Sequence, residues 1–64
     1  MNISKNLKKI RKEKQYSLEQ IARLTGLSLN TIVKIENGKN QNPTIQTMMK
    51  IAESLGVSVN DLIK

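Results

Sequence analysis

Wound as a helix, the stretch "SLNTIVKIENGK" from Ser28 to Lys39 sets Ile32 and Ile35 on one side and gathers Leu29, Asn30, Val33, Lys34 and Asn37 on another. The second set offers three kinds of contact: an amide that donates and accepts at once, an ammonium donor, and two aliphatic surfaces. Such a set suits recognition better than bond making. The chain has no Cys and no His, which removes disulfides, thiolate nucleophiles, imidazole bases and the usual zinc clusters. Its carboxylates, Glu13, Glu19, Glu36, Glu53 and Asp61, form no visible general acid and base pair. Gly26, Gly38 and Gly56 fall singly, as helix stops rather than as a phosphate-cradling loop. We expect no enzyme, no cofactor and no metal.

With 64 residues the chain is at most one domain, 1–64, and a chain of this size buries only roughly 60% of its unfolded surface. Its apolar content is nearly all aliphatic, since Tyr16 is the only aromatic residue. That argues against single-strand binders, which need aromatic stacking platforms. The net charge of +6 favours a polyanionic partner without choosing between nucleic acid and an acidic membrane surface. Six of the eleven cations lie between Lys5 and Lys14. The N-terminal "MNISKNLKKIRKEK" has no continuous apolar run, so it does not read as a signal peptide, and no segment approaches the ~20 apolar residues of a membrane span. A cytoplasmic protein is the expectation.

These residues need elements to hold them. Four Ser or Thr caps, each preceded by an apolar residue that can pack on the fourth helical position, mark four helix starts. Tyr16, Ser17, Gln20 and Ile21 make a capping box with a hydrophobic staple; Leu27, Ser28 and Ile32 repeat the staple. Pro43, Thr44 and Met48 give a third start, and Val57, Ser58 and Leu62 a fourth, with Asp61 in the first turn where the helix dipole favours a negative charge. An N-terminal helix up to about Lys14 brings the number to five. Ile3, Leu7 and Ile10 share a stripe, as do Leu18, Ile21, Ala22 and Thr25, and then Ile45, Met48, Met49, Ala52 and Leu55. No stretch alternates with period two, so the fold class is all-α, a five-helix bundle with short connections.

Between the second and third helices stands "TGLS", a short Gly-containing turn of the helix-turn-helix kind. Here the sequence resembles the Xre/Cro/CI family of bacterial and phage repressor DNA-binding domains over essentially its whole length. The matching stretches are "IRKEKQYSLEQIARLTGLSLNTIVKIENGK" and "NPTIQTMMKIAESLGVSVNDLI", through the spacing of Arg11, Ala22, Gly26, Ile32, Ile35, Glu36, Gly38, Pro43, Leu55 and Gly56.

The resemblance implies a lambda-repressor-like bundle whose third helix enters the DNA major groove. It pairs Arg11 with Glu36 as a bridge between the first and third helices, in keeping with Arg11 flanking the Ile3, Leu7, Ile10 stripe. Base-facing positions then fall at Ser28, Leu29, Asn30 and Lys34, with Val33 beside them. Asn30 can pair with adenine and Lys34 with guanine, while Leu29 or Val33 can pack on thymine methyls. The implied phosphate contacts are Lys39, Asn37, Asn40, Asn42 and Thr44 in the turn after the third helix, with Ser17 and Leu18 at the start of the second. Two departures stand out: Leu18 replaces the Gln that bridges phosphate and recognition helix in many relatives, and the turn is rich in amides where some relatives are basic. Lys5, Lys8, Lys9 and Lys12 read as a solvated outer face, with steering toward DNA as the alternative.

The implied partner is double-stranded DNA, bound as a homodimer on a pseudo-palindromic operator, with repression the expected outcome in a bacterial or phage cytoplasm, associated with the nucleoid. Val57, Val59, Leu62 and Ile63 are the expected dimer surface. A protein-interaction module, meeting an antirepressor or a toxin, is the alternative function. Membrane-surface binding fails because the apolar face of the first helix is needed for the core. The chain ends inside its fifth helix and reads either as a minimal regulator or as the DNA-binding part of a longer one.

Overall fold

Hydroxyl side chains fix where four of the five helices begin. In the computed structural model, which describes residues 2–64, the helices are α1 (Ile3–Glu13), α2 (Leu18–Thr25), α3 (Leu29–Glu36), α4 (Ile45–Leu55) and α5 (Val59–Ile63). Ser17, Ser28, Thr44 and Ser58 each accept the backbone N–H of the third helical residue, which satisfies a donor that has no partner within the helix. Ser17 with Gln20, and Ser58 with Asp61, complete reciprocal capping boxes. Asn2 starts α1 by accepting from Lys5 N–H. The stops are equally local. Gly26 and Gly56 end α2 and α4 in the left-handed conformation, at φ +75° and +69°.

α1 packs on α3 and α5, α2 packs on α3 and α4, and α4 closes against α5. The core is made of Ile3, Leu7, Ile21, Ile32, Ile35, Met48, Ile51, Ala52, Leu55 and Leu62. Ile10, Tyr16, Leu18, Ala22, Leu27, Val57, Val59 and Ile63 pack around it, half-buried. Polar ties between helices reinforce the packing. Ser4 Oγ donates to the Glu36 carbonyl, Asn6 Nδ2 to the Leu62 carbonyl at 2.8 Å, and Ser54 Oγ to the Leu24 carbonyl at 3.1 Å.

Two expectations are corrected here. In α4, Ile45 and Met49 stay in solvent, 61% and 48% exposed, while Ile51 is wholly buried. The helix turns the side carrying Met48, Ile51, Ala52 and Leu55 toward the core, because α2 and α5 bracket it there. Leu62 is also wholly buried, so it cannot belong to a dimer surface. The five-residue α5 packs on α1 and α4, and Leu62 is its one wholly buried side chain, with Val59 and Ile63 half-buried beside it.

Candidate nucleic-acid interface

Helix α3 is held firmly on one side and left open on the other. Ile32, Ile35 and Glu36 are buried, while Ser28, Leu29, Asn30 and Lys34 are exposed, Leu29 to 43%. No side-chain hydrogen bond engages Asn30 or Lys34 among the described residues. Val33 sits between these two faces, half-buried on the shoulder of α3 that looks toward α1 and the start of α2.

The end of α3 is fixed by charge. Glu36 is 6% exposed and its carboxylate receives Arg11 Nη2 at 2.7 Å and Nε at 2.9 Å, a forked grip that only the planar guanidinium can supply. The remaining Arg11 nitrogen, Nη1, donates to the Tyr16 carbonyl at 2.9 Å. One side chain of α1 therefore holds both the last residue of α3 and the residue before the α2 cap. Hydrogen bonding to Glu36 is the main reason the guanidinium holds its proton even more tightly than a free arginine. Buried as it is, Glu36 thus has a permanent partner.

Around this face the backbone supplies donors. At the start of α2, Ser17 Oγ takes the Gln20 N–H and Gln20 Oε1 takes the Ser17 N–H, which leaves the Leu18 and Glu19 N–H groups as the free amides at the positive end of the helix. Ser28 repeats this at α3: its hydroxyl accepts the Thr31 N–H and pairs with Thr31 Oγ1 at 2.8 Å. Thr44 Oγ1 accepts the Thr47 N–H and donates to Thr47 Oγ1. These three hydroxyls hold their own helices, so what they present outward is chiefly the adjoining backbone.

The turn from Asn37 to Thr44 is ordered by its amides. Asn37 Oδ1 accepts the Lys39 N–H at 2.9 Å and Asn40 Oδ1 accepts the Asn42 N–H at 3.1 Å. The Asn40 N–H itself reaches back to the Lys34 carbonyl. Each of these oxygens is used internally, while the Nδ2 donors of Asn37 and Asn40 have no partner among the described residues. Lys39 and Asn42 are exposed beside them. An amide-rich turn can thus present donors without carrying many charges.

Below this turn lies a shallow hollow of about 140 Å³, lined by Lys8, Leu18, Val33, Glu36 and Asn37. It joins the shoulder of α3, the first residue of α2 and the middle of α1. Sequence reasoning treated Lys8 as part of a solvated outer face, with steering toward DNA as the alternative, and did not bring it to this hollow. The signal was present: Ser4, Lys8 and Arg11 recur at i, i+4 and i+7, and two of the three bond to Glu36.

The family profile described as helix-turn-helix (HTH_3) matches residues 7–62. The chain belongs to the helix-turn-helix family. The Xre/Cro/CI-like resemblance and the five-helix architecture are both borne out. Over 61 residues the helix-turn-helix chain is 38% identical to the HTH-type transcriptional regulator SinR of Bacillus subtilis (strain 168), covering 95% of this chain and 55% of that protein. Two solved structures are similar throughout, each with a TM-score of 0.92, 37% identity and coverage of 97% of this chain. They are the N-terminal DNA-binding domain of SinR, 90% of which is covered, and SinR in complex with DNA, 98% covered. The helix-turn-helix chain thus spans about half the length of SinR. Among the described residues no helix is long and apolar enough to cross a membrane.

Proposed function

We propose that this helix-turn-helix domain binds double-stranded DNA by seating α3 in the major groove, and that it regulates transcription by repressing from a pseudo-palindromic operator. The observation that carries this reading is the open face of α3, where Leu29, Asn30 and Lys34 project from a helix anchored by Ile32, Ile35 and the Arg11–Glu36 pair. Side chains so placed reach base edges, and the free N–H groups of α2 and the amide donors after α3 fall where backbone phosphates would flank the groove. That SinR is a transcriptional regulator and has been solved in complex with DNA supports DNA binding by this domain. We read the domain as non-catalytic and as acting in the cytoplasm, where its target DNA lies.

We assign the self-contact to Val57, Val59 and Ile63, without Leu62. On a pseudo-palindromic operator the two α3 helices of such a pair must lie about one helical turn of DNA apart, ~34 Å. Selection from a randomised duplex library tests the whole reading. It should recover an inverted repeat, and Asn30→Ala should bind the recovered duplex about tenfold to a hundredfold more weakly, with relaxed preference at one A·T position. Recovery of no enriched sequence rejects it. Ile45 and Met49, exposed on α4 away from the core, favour a second reading in which a protein partner such as an antirepressor or a toxin is also bound. A chain that selects no duplex but is held by a partner protein from its host would move the assignment to that reading.

A further inference from the structure

We propose that the groove between α1 and α5 docks a second copy of this chain, held by reciprocal pairs of Lys9 and Glu13 across a two-fold axis. The proposal rests on the α5 self-contact given above, which shares Val57 with the groove, and supplies that contact with charged partners. The groove has a volume of about 250 Å³; Ile10 and Val57, both half-buried, give it apolar lining, and Lys9 and Glu13 are exposed along its α1 side. Asn6 Nδ2, on α1, donates to the carbonyls of Leu62 and Lys64 at 2.8 and 2.9 Å. The two helices that bound the groove are thus fixed relative to each other before any partner arrives.

Glu13 is the only carboxylate of α1 and its last residue, at the end of the helix where the dipole disfavours a negative charge. Lys9 lies one turn before it, but a lysine N-terminal to a glutamate is the weaker order for an i, i+4 pair, and neither residue makes an ion pair among the described residues. Asp61 and Lys64, by contrast, meet each other at 3.5 Å within α5. Lys9 and Glu13 are therefore a cation and an anion without a charge partner in their own chain. When α1 lies antiparallel against its copy, Lys9 faces the partner's Glu13 and Glu13 faces the partner's Lys9, because a two-fold axis makes every contact twice. Charge also selects this face over others. The lysines and carboxylates of the groove cancel, as do Arg11 and Glu36, so the net charge of +6 is carried elsewhere on the molecule. Copies that meet here avoid most of the repulsion that lysine-rich faces would bring together.

Sedimentation velocity over a concentration series, without DNA, tests the proposal. The wild type should self-associate, and Glu13→Lys should weaken that association about tenfold or more, because two attractive pairs become two repulsive ones. Lys9→Glu should weaken it similarly. Glu53→Lys, on α4, carries the same net charge as Glu13→Lys and should associate like the wild type. An equal mixture of the Lys9→Glu and Glu13→Lys chains should recover the wild-type affinity as a mixed pair, and so should the two substitutions combined in one chain. Both side chains are exposed, so thermal midpoints should show every variant folded. Self-association that ignores the single swaps, or that Glu53→Lys weakens as much as Glu13→Lys, would overturn the groove contact and leave the α5 contact standing. A wild type that stays monomeric throughout would overturn this proposal, and sedimentation on the selected duplex would then decide the α5 contact separately.

Discussion

Arg11 Nη2 lies 2.7 Å from Glu36 Oε1, and the same guanidinium holds the Tyr16 carbonyl at 2.9 Å, so one side chain fixes the end of α3 relative to the start of α2. The geometry of the proposed DNA face depends on this relationship. The pair is poorly suited to raising stability for its own sake, because desolvating both groups offsets much of their attraction. Its contribution is to orientation, and its removal is costly because the remaining charge stays partly buried.

Glu36→Gln should therefore lower stability by about 2 kcal/mol and weaken operator binding as well. Urea unfolding gives the first quantity and titration of the selected duplex the second. Arg11→Lys should reproduce much of the effect despite keeping the charge, since an ammonium cannot grip Glu36 with two nitrogens and Tyr16 with a third. Unchanged stability and affinity in Glu36→Gln would show that the pair is ornamental.

Leu29 is 43% exposed at the first position of α3, a large aliphatic side chain left outside a small core. If it packs on a thymine methyl, replacing that thymine by uracil removes one buried carbon, about 0.8 kcal/mol, or roughly fourfold in affinity. Scanning each thymine of the selected duplex should reveal one such position in each half-site for the wild type. In Leu29→Ala the same position should no longer distinguish thymine from uracil.

Gly26 terminates α2 at φ +75°, and a Cβ added there would meet no atom within 4 Å. Space is not the obstacle to substitution; backbone conformation is. Gly26→Ala should cost about 1 kcal/mol through the left-handed penalty alone, and Gly26→Asn less, because Asn tolerates that region better. Chemical denaturation of the three proteins measures the order. A loss several times larger in Gly26→Ala would mean that the turn between α2 and α3 has shifted.

Asp61 sits at the third position of α5, where the Ser58 N–H at 3.1 Å is the main reason its carboxyl is held below the ordinary value of 3.8. A carboxylate with a lowered native pKa adds stability that is full above the ordinary value and is lost as pH falls through the native one. Wild type should therefore exceed Asp61→Asn in thermal midpoint at neutral pH, and the two should converge in strong acid. A difference that persists unchanged into acid would remove the carboxylate as its cause.

The sequence by itself determined the local elements, because the signals that make them span only a few residues. Ser17, Ser28, Thr44 and Ser58 start helices by bonding three residues ahead, and Gly26 and Gly56 stop them by conformation. The grouping of Leu29, Asn30 and Lys34 away from Ile32 and Ile35 follows from the helical repeat alone, and the resemblance carried Arg11 to Glu36. Tertiary structure decided everything that depends on which side of a helix meets a neighbour. Periodicity could not tell that α4 buries Ile51 and exposes Ile45 and Met49, or that Leu62 fills the gap between α1 and α4, since an apolar stripe wider than the contact leaves its own edge undefined. Nor could it bring Lys8, Leu18, Val33 and Asn37 around one hollow: they come from three helices and a turn, and only the crossing of those elements makes them neighbours.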